Sequence, residues 1–209
     1  MNKNFLTLIA ASIILTLFFA SCGARRVPPS VSEEGVVING VRWATRNVDT
    51  FGTFTQNPED AGMFFQWNRQ KGWATTGSVT GWNTVEDTTP WITENDPCPP
   101  GWRTPTTEEW RNVNATAGKY TTINGVRGRL FGTYPDQIFL PLAGRRNASG
   151  ALAYRGYVGY YWSRSPAAGE SAYTPIRSVW TSRFGLYGRA TMFTNNRNQG
   201  FSVRCVQDQ

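Results

Sequence analysis

Asp96-Pro97-Cys98-Pro99-Pro100-Gly101-Trp102-Arg103-Thr104-Pro105-Thr106-Thr107-Glu108-Glu109-Trp110 is the stretch on which the fold turns. Thr106 has the right side chain to cap a helix, and Glu109 three residues later closes a capping box. Trp110, Val113 and Ala117 then fall on one face at helical spacing, and Gly118 offers a stop. The expected helix runs over about 106–117. Glu108 and Glu109 are not a catalytic carboxylate pair, because neighbours on a helix point about 100° apart and Glu109 belongs to the cap.

Upstream, Val36-Val37-Ile38, Asn39-Gly40 and Val41-Arg42-Trp43 read as a hairpin, since Asn-Gly accepts the positive φ values of a type I′ turn. Ile38 to Arg42 recurs letter for letter at Ile123 to Arg127, which marks a second hairpin rather than a duplicated domain. Phe51 to Asp96 is rich in Gly, Thr, Asn and Trp with little periodicity, and reads as long irregular loops carrying Trp67, Trp73, Trp82 and Trp91. Downstream come short strand-like segments: Ile138–Pro141, Gly159–Ser163, Ser178–Trp180, Ala190–Phe193 and Phe201–Cys205. The class is therefore α+β: short curled antiparallel strands, one clear helix and long loops.

Composition narrows the chemistry. The 209 residues include nine Trp, twelve Phe and eight Tyr but no His, which removes Ser-His-Asp and Cys-His catalysis, His-ligated zinc and any imidazole switch. Phosphate-cradling loops, dinucleotide glycine fingerprints and zinc spacings are also missing, so no cofactor and no metal are expected. The formal charge is +7, and the only lysines are Lys3, Lys71 and Lys119. Arginine suits bidentate carboxylate or phosphate contacts and stacking on rings. No basic run exceeds two residues, as at Arg145-Arg146, which argues against nucleic acid as a partner.

Lys3 precedes an uncharged apolar run from Phe5 to Ala20, a signal-peptide length that is short of a membrane span. It ends in Phe19-Ala20-Ser21-Cys22, which resembles a bacterial lipobox, with Cys22 lipidated as the first mature residue. The expected layout is a signal peptide at 1–21, a polar, proline-bearing tether at 22–34 and one domain at 35–209. The anchor would hold the domain at a membrane surface in the cell envelope. The expected membrane is the outer membrane, with the domain on its outer or its periplasmic face. Cys98 and Cys205 remain, and in an exported protein they should pair, the alternative being two separate buried thiols.

Two groups of residues suggest a binding surface. Tyr161 and Trp162 read as core, whereas Tyr154 and Tyr157, isolated among Gly and Arg, read as exposed rings able to meet a sugar or another flat ligand. Trp73 and Trp82 in the loops and the pair Arg145 and Arg146 complete the candidate set. Asp87-Thr88-Thr89 resembles a short O-glycosylation acceptor motif, but three residues are a weak signal and a plain loop or turn before Pro90 is the favoured reading.

Trp43–Val48, Phe65–Asn68, Asp96–Thr106 with Glu109-Trp110, Leu140–Arg146, Gly159–Ser163 and Gly200–Val206 occur in the order of one family. Over about Gly35 to Val206 the chain resembles the Fibrobacter succinogenes major paralogous domain, found in envelope lipoproteins. That family is similar in turn to C-type-lectin-like folds and to formylglycine-generating enzymes. The resemblance implies a C-type-lectin-like fold, and its matched cysteines support the Cys98–Cys205 pairing. Formylglycine-generating activity is not implied, because Arg183 to Gly200 contains no cysteine. Calcium-dependent sugar binding is not implied either, because Glu-Pro-Asn and Trp-Asn-Asp motifs are absent, and Asn195-Asn196-Arg197-Asn198 reads as a turn. The expected function is a non-catalytic, adhesin-like module recognising glycan or an envelope protein. A structural subunit of a surface assembly, such as a pilus tip or anchor, is the alternative. A polysaccharide hydrolase would need a carboxylate pair, to be sought among Glu59, Asp60, Asp87 and Asp96.

Overall fold

The computed structural model describes residues 33–116, 118–166, 171–174 and 193–208. The expected signal peptide, Cys22, nearly all of the expected tether, Ala117, the strand expected at 178–180 and residues 190–192 of the one expected at 190–193 lie outside the described residues. What is described is α+β, mostly antiparallel sheet with one α-helix.

The expected hairpins are present. β1 (Val36–Ile38) and β2 (Val41–Asn47) are joined by Asn39 at φ 49° and Gly40 at φ 80°. β6 (Lys119–Ile123) and β7 (Val126–Thr133) are joined by Asn124 at φ 47° and Gly125 at φ 79°. These left-handed backbone angles are the reason for Asn-Gly at both turns. β8 (Asp136–Pro141) completes a three-stranded sheet with them.

The helix α1 (Thr107–Asn114) carries the expected capping box on Thr106 and Glu109. Glu109 also takes two hydrogen bonds from Arg103, at 2.9 and 2.7 Å, and so fixes the helix start to β5 (Trp102–Arg103). Trp110 and Val113 are buried, and Trp110 Nε1 donates to the Trp162 carbonyl. The helix ends three residues short of the expected 117. Gly118 is not its stop: a Cβ there would lie 2.6 Å from the Leu130 carbonyl oxygen, so glycine is needed for close approach to β7.

β1, β2, β14 (Arg204–Gln207) and β5 form one sheet in that order. A second sheet runs β10 (Leu152–Ala153), β9 (Arg145–Arg146), β13 (Gly200–Phe201), β3 (Phe64–Gln66), β4 (Gly72–Trp73). β11 (Ser171–Thr174) pairs with β12 (Phe193–Asn196). Three sequence expectations change here. The strand expected at Phe201–Cys205 is divided between β13 and β14, which belong to different sheets. Residues 51–96 are not wholly irregular, since they contain β3 and β4. Gly159–Ser163 is not a strand; it is joined to its neighbours by single parallel bridges, Gly159 to Gly144 and Tyr161 to Ser202.

One apolar cluster gathers Trp67, Trp162, Phe201 and both remaining cysteines, and another gathers Trp43, Trp110, Phe131 and Tyr161. Tyr161 and Trp162 are core residues, each fully buried. Cys98 and Cys205 form a disulfide across 107 residues of chain. Asp96 sets the geometry of its loop: the buried carboxylate accepts from the Cys98 and Thr104 amides, the Thr104 hydroxyl and Trp91 Nε1. Arg204, also fully buried, donates to Asn47 Oδ1 and to the carbonyls of Ala44 and Phe139, and so joins β14 to β2 and β8.

Candidate functional site

The exposed rings sit on one tight turn. After β10 the chain turns at Tyr154-Arg155-Gly156-Tyr157, with Tyr154 at φ 61° and Gly156 at φ 75°. The Tyr154 carbonyl accepts from the amides of Tyr157 and Val158, both at 3.0 Å, and the Gly156 amide donates to the Leu142 carbonyl at 2.7 Å. Gly144 makes room for this turn, because a Cβ there would lie 2.4 Å from the Ala153 carbonyl oxygen and 2.7 Å from the Arg155 nitrogen. Tyr154 and Tyr157 are each 54% exposed. A left-handed tyrosine costs about 1–3 kcal/mol, so the surrounding bonds must hold it there.

Arg145 lies beneath the first ring. Its guanidinium is 5.4 Å from the Tyr154 ring and 4.8 Å from Tyr160, and it donates to Gln199 Oε1 at 2.6 Å and Asn195 Oδ1 at 3.2 Å. Among the described residues its buried Nε has no hydrogen-bond partner. Tyr160 stacks in turn on Phe201, with centroids 5.2 Å apart.

Tyr157 borders a cleft of about 430 Å³. Pro141, Leu142 and Ala143 line it together with Glu59, Asp60, Arg127 and Arg155. The second hairpin turn closes one side, where Asn124 Nδ2 donates to Glu59 Oε1 at 2.6 Å. Asp60 Oδ2 accepts from the Asn57 amide and side chain. Both carboxylates thus accept hydrogen bonds from asparagines. Asp87 and Asp96 lie elsewhere: Asp87 pairs with Arg69 at 2.9 Å and caps Thr89, while burial pushes the Asp96 carboxyl above its ordinary range despite its four donors.

The other candidate residues are not gathered at this turn. Arg146 is 1% exposed and donates to the carbonyls of Ala74, Thr76, Gly77 and Gly150, which fixes the loop after β4. Trp73 is buried and packs 5.0 Å from Trp82, whose Nε1 donates to the Ala148 carbonyl. Trp82 in turn lies over Gly150 and Gly200, where a Cβ would fall 2.8 and 2.6 Å from its ring. Thr88 is exposed in the Asp87-Thr88-Thr89 turn.

Sequence reasoning did not bring Arg127 or Arg155 to the site. The repeated Ile-Asn-Gly-Val-Arg carried the signal for Arg127, which follows a hairpin turn by two residues. Among the described residues no group of three His, Cys, Asp or Glu could hold a metal ion. No family model, no curated protein and no solved structure matches this chain.

Proposed function

We propose that this chain is a non-catalytic binding module of a cell-envelope lipoprotein, and that it recognises glycan or a surface protein through the Tyr154–Tyr157 turn and its cleft. On this reading the domain has the C-type-lectin-like fold of the major paralogous domain family, and the lipid on Cys22 tethers it to the outer membrane. The observation that carries the function is the pair of half-exposed tyrosines on a turn held by backbone bonds, of which Arg155, Gly156 and Tyr157 line a cleft together with Pro141, Leu142 and Ala143. Rigid rings give contact area at low entropy cost, which suits a stacking surface. The bonded state of Glu59, Asp60, Asp87 and Asp96 supports a non-catalytic role over hydrolysis.

The test is a broad glycan array probed with the oxidised full-length chain, alongside Tyr157→Ala and Tyr154→Gly. Saturable binding to a related set of glycans, weakened about tenfold by Tyr157→Ala, is the expected result; a central aromatic contact is worth about 1–2 kcal/mol. Silence across the array would overturn glycan recognition. Capture of a defined envelope partner would then favour the assembly-subunit alternative.

A further inference from the structure

Apart from the tyrosine turn, a second cleft of about 500 Å³ lies over the β3–β4 hairpin, and the two clefts have no lining residue in common. We infer that this cleft is a binding site for an anionic saccharide, one carrying carboxylate or sulfate ester groups.

The loop between the strands, Trp67 to Lys71, is pinned on both sides. Asn68, at φ 53°, donates to the Thr89 hydroxyl and accepts from the Ile92 amide, each at 3.0 Å. Arg69 is held by Asp87 at 2.9 Å, and Gln70 Nε2 donates to the Glu94 carbonyl at 2.6 Å. Lys71 lies with its Nζ 3.9 Å above the Trp73 ring, an arrangement that orients the ammonium without neutralising it. No carboxylate among the described residues pairs with Lys71, which is exposed.

Charge separates this cleft from the first. Glu59 and Asp60 offset Arg127 and Arg155 there, whereas here the lining is cationic, amide and aromatic, with no acidic side chain. Asp87 balances Arg69 from outside the lining, so Lys71 supplies the net charge. An anion is therefore the complementary ligand. The amides of Gln70, Asn83 and Asn95 line the same space, and amides both donate to and accept from hydroxyls, the pattern a sugar presents. Trp73 is 6% exposed beneath Lys71, so recognition works by charge and hydrogen bonds rather than by stacking. The volume falls within the ~300–1,000 Å³ of small-molecule pockets.

Titration calorimetry of the full-length chain tests this with oligogalacturonide, dextran sulfate and neutral dextran as probes. At least one anionic probe should bind while neutral dextran does not, and which one binds tells carboxylate from sulfate. Affinity should fall about fivefold or more between low and roughly 300 mM salt, since screening shortens the reach of an exposed charge. Lys71→Gln should weaken binding about fivefold, and Asn95→Asp, which sets a negative charge in the lining, should weaken it further. Tyr157→Ala should leave it unchanged, so this site and the tyrosine cleft succeed or fail separately. Binding of neither anionic probe, or equal binding by wild type and both cleft variants, would overturn the proposal.

Discussion

Glu33 Oε2 accepts a 2.8 Å hydrogen bond from Arg46 Nε, and the two side chains are 3% and 8% exposed. The Thr45 amide and hydroxyl donate to the same carboxylate. Glu33 therefore belongs to the packed structure, two residues ahead of the domain start expected at Gly35. Burial by itself would push the Glu33 carboxyl up, but the bonds from Thr45 and Arg46 outweigh it and hold the group below its ordinary 4.5. Its stabilising contribution is present above pH 4.5 and is lost as pH falls through the folded-state value. Glu109 has the same sign: burial raises it, and the bonds from Arg103 and Thr106 bring it below 4.5. Asp96 has the opposite sign, since its net shift is upward from 3.8 and its contribution declines as pH rises. Glu33→Gln should cost about 3 kcal/mol at neutral pH, as breaking a buried pair does, and should flatten the acid side of the stability profile. Urea unfolding from pH 7 to 3 checks both effects, and a fragment beginning at Gly35 should match the variant.

Arg146→Lys should loosen the loop after β4. A lysine cannot repeat the guanidinium fork that reaches four carbonyls, and each lost charged hydrogen bond is worth about 1.5–3 kcal/mol. The expected outcome is at least about 3 kcal/mol of lost stability and faster amide exchange at residues 74–77. Unchanged exchange there would remove Arg146 from this structural role.

Tyr154→Gly should separate the ring from the turn. Glycine adopts φ 61° without strain, so stability should change by less than about 1 kcal/mol while the ring contact disappears. Gly144→Ala should do the reverse, because its Cβ would meet Ala153 and Arg155 at a left-handed φ of 78°. That variant should lose about 3 kcal/mol and displace both tyrosines. Thermal melts beside ligand titrations distinguish the two behaviours.

Replacing both Cys98 and Cys205 with serine should cost about 4 kcal/mol, because the bond closes a long loop in the unfolded chain. Urea unfolding of wild type with and without reductant should show the same difference. No change on reduction would contradict a clamp that acts through the unfolded state.

Much of the fold was legible wherever its cause is local. The Asn-Gly turns demand positive φ, the Thr106–Glu109 box acts over three residues, and the expected domain holds just two cysteines to pair. The exposure of Tyr154 and Tyr157 followed from neighbouring Gly and Arg. What was not legible depends on distant partners. β3, β4, β9, β10 and β13 are two or three residues long, too short for an alternating pattern, and β13 finds β3 across more than half the chain. The burial of Arg146, Arg197 and Arg204 runs against the usual place of arginine, and arises because loop and strand carbonyls far away in sequence receive their N–H groups. The same non-locality hid the cleft arginines and the cationic lining around Lys71.

The grip of Glu33 on Thr45 and Arg46 also has a mechanical side. A pull on the chain ahead of residue 33 reaches β2 directly through that carboxylate, before it strains the short β1 ladder. β2 is paired with β14, which carries Cys205, so the load continues into a covalent bond to Cys98. A domain held by its leading end would thus pass tension into its cross-linked core while the tyrosine turn stays outside the line of force.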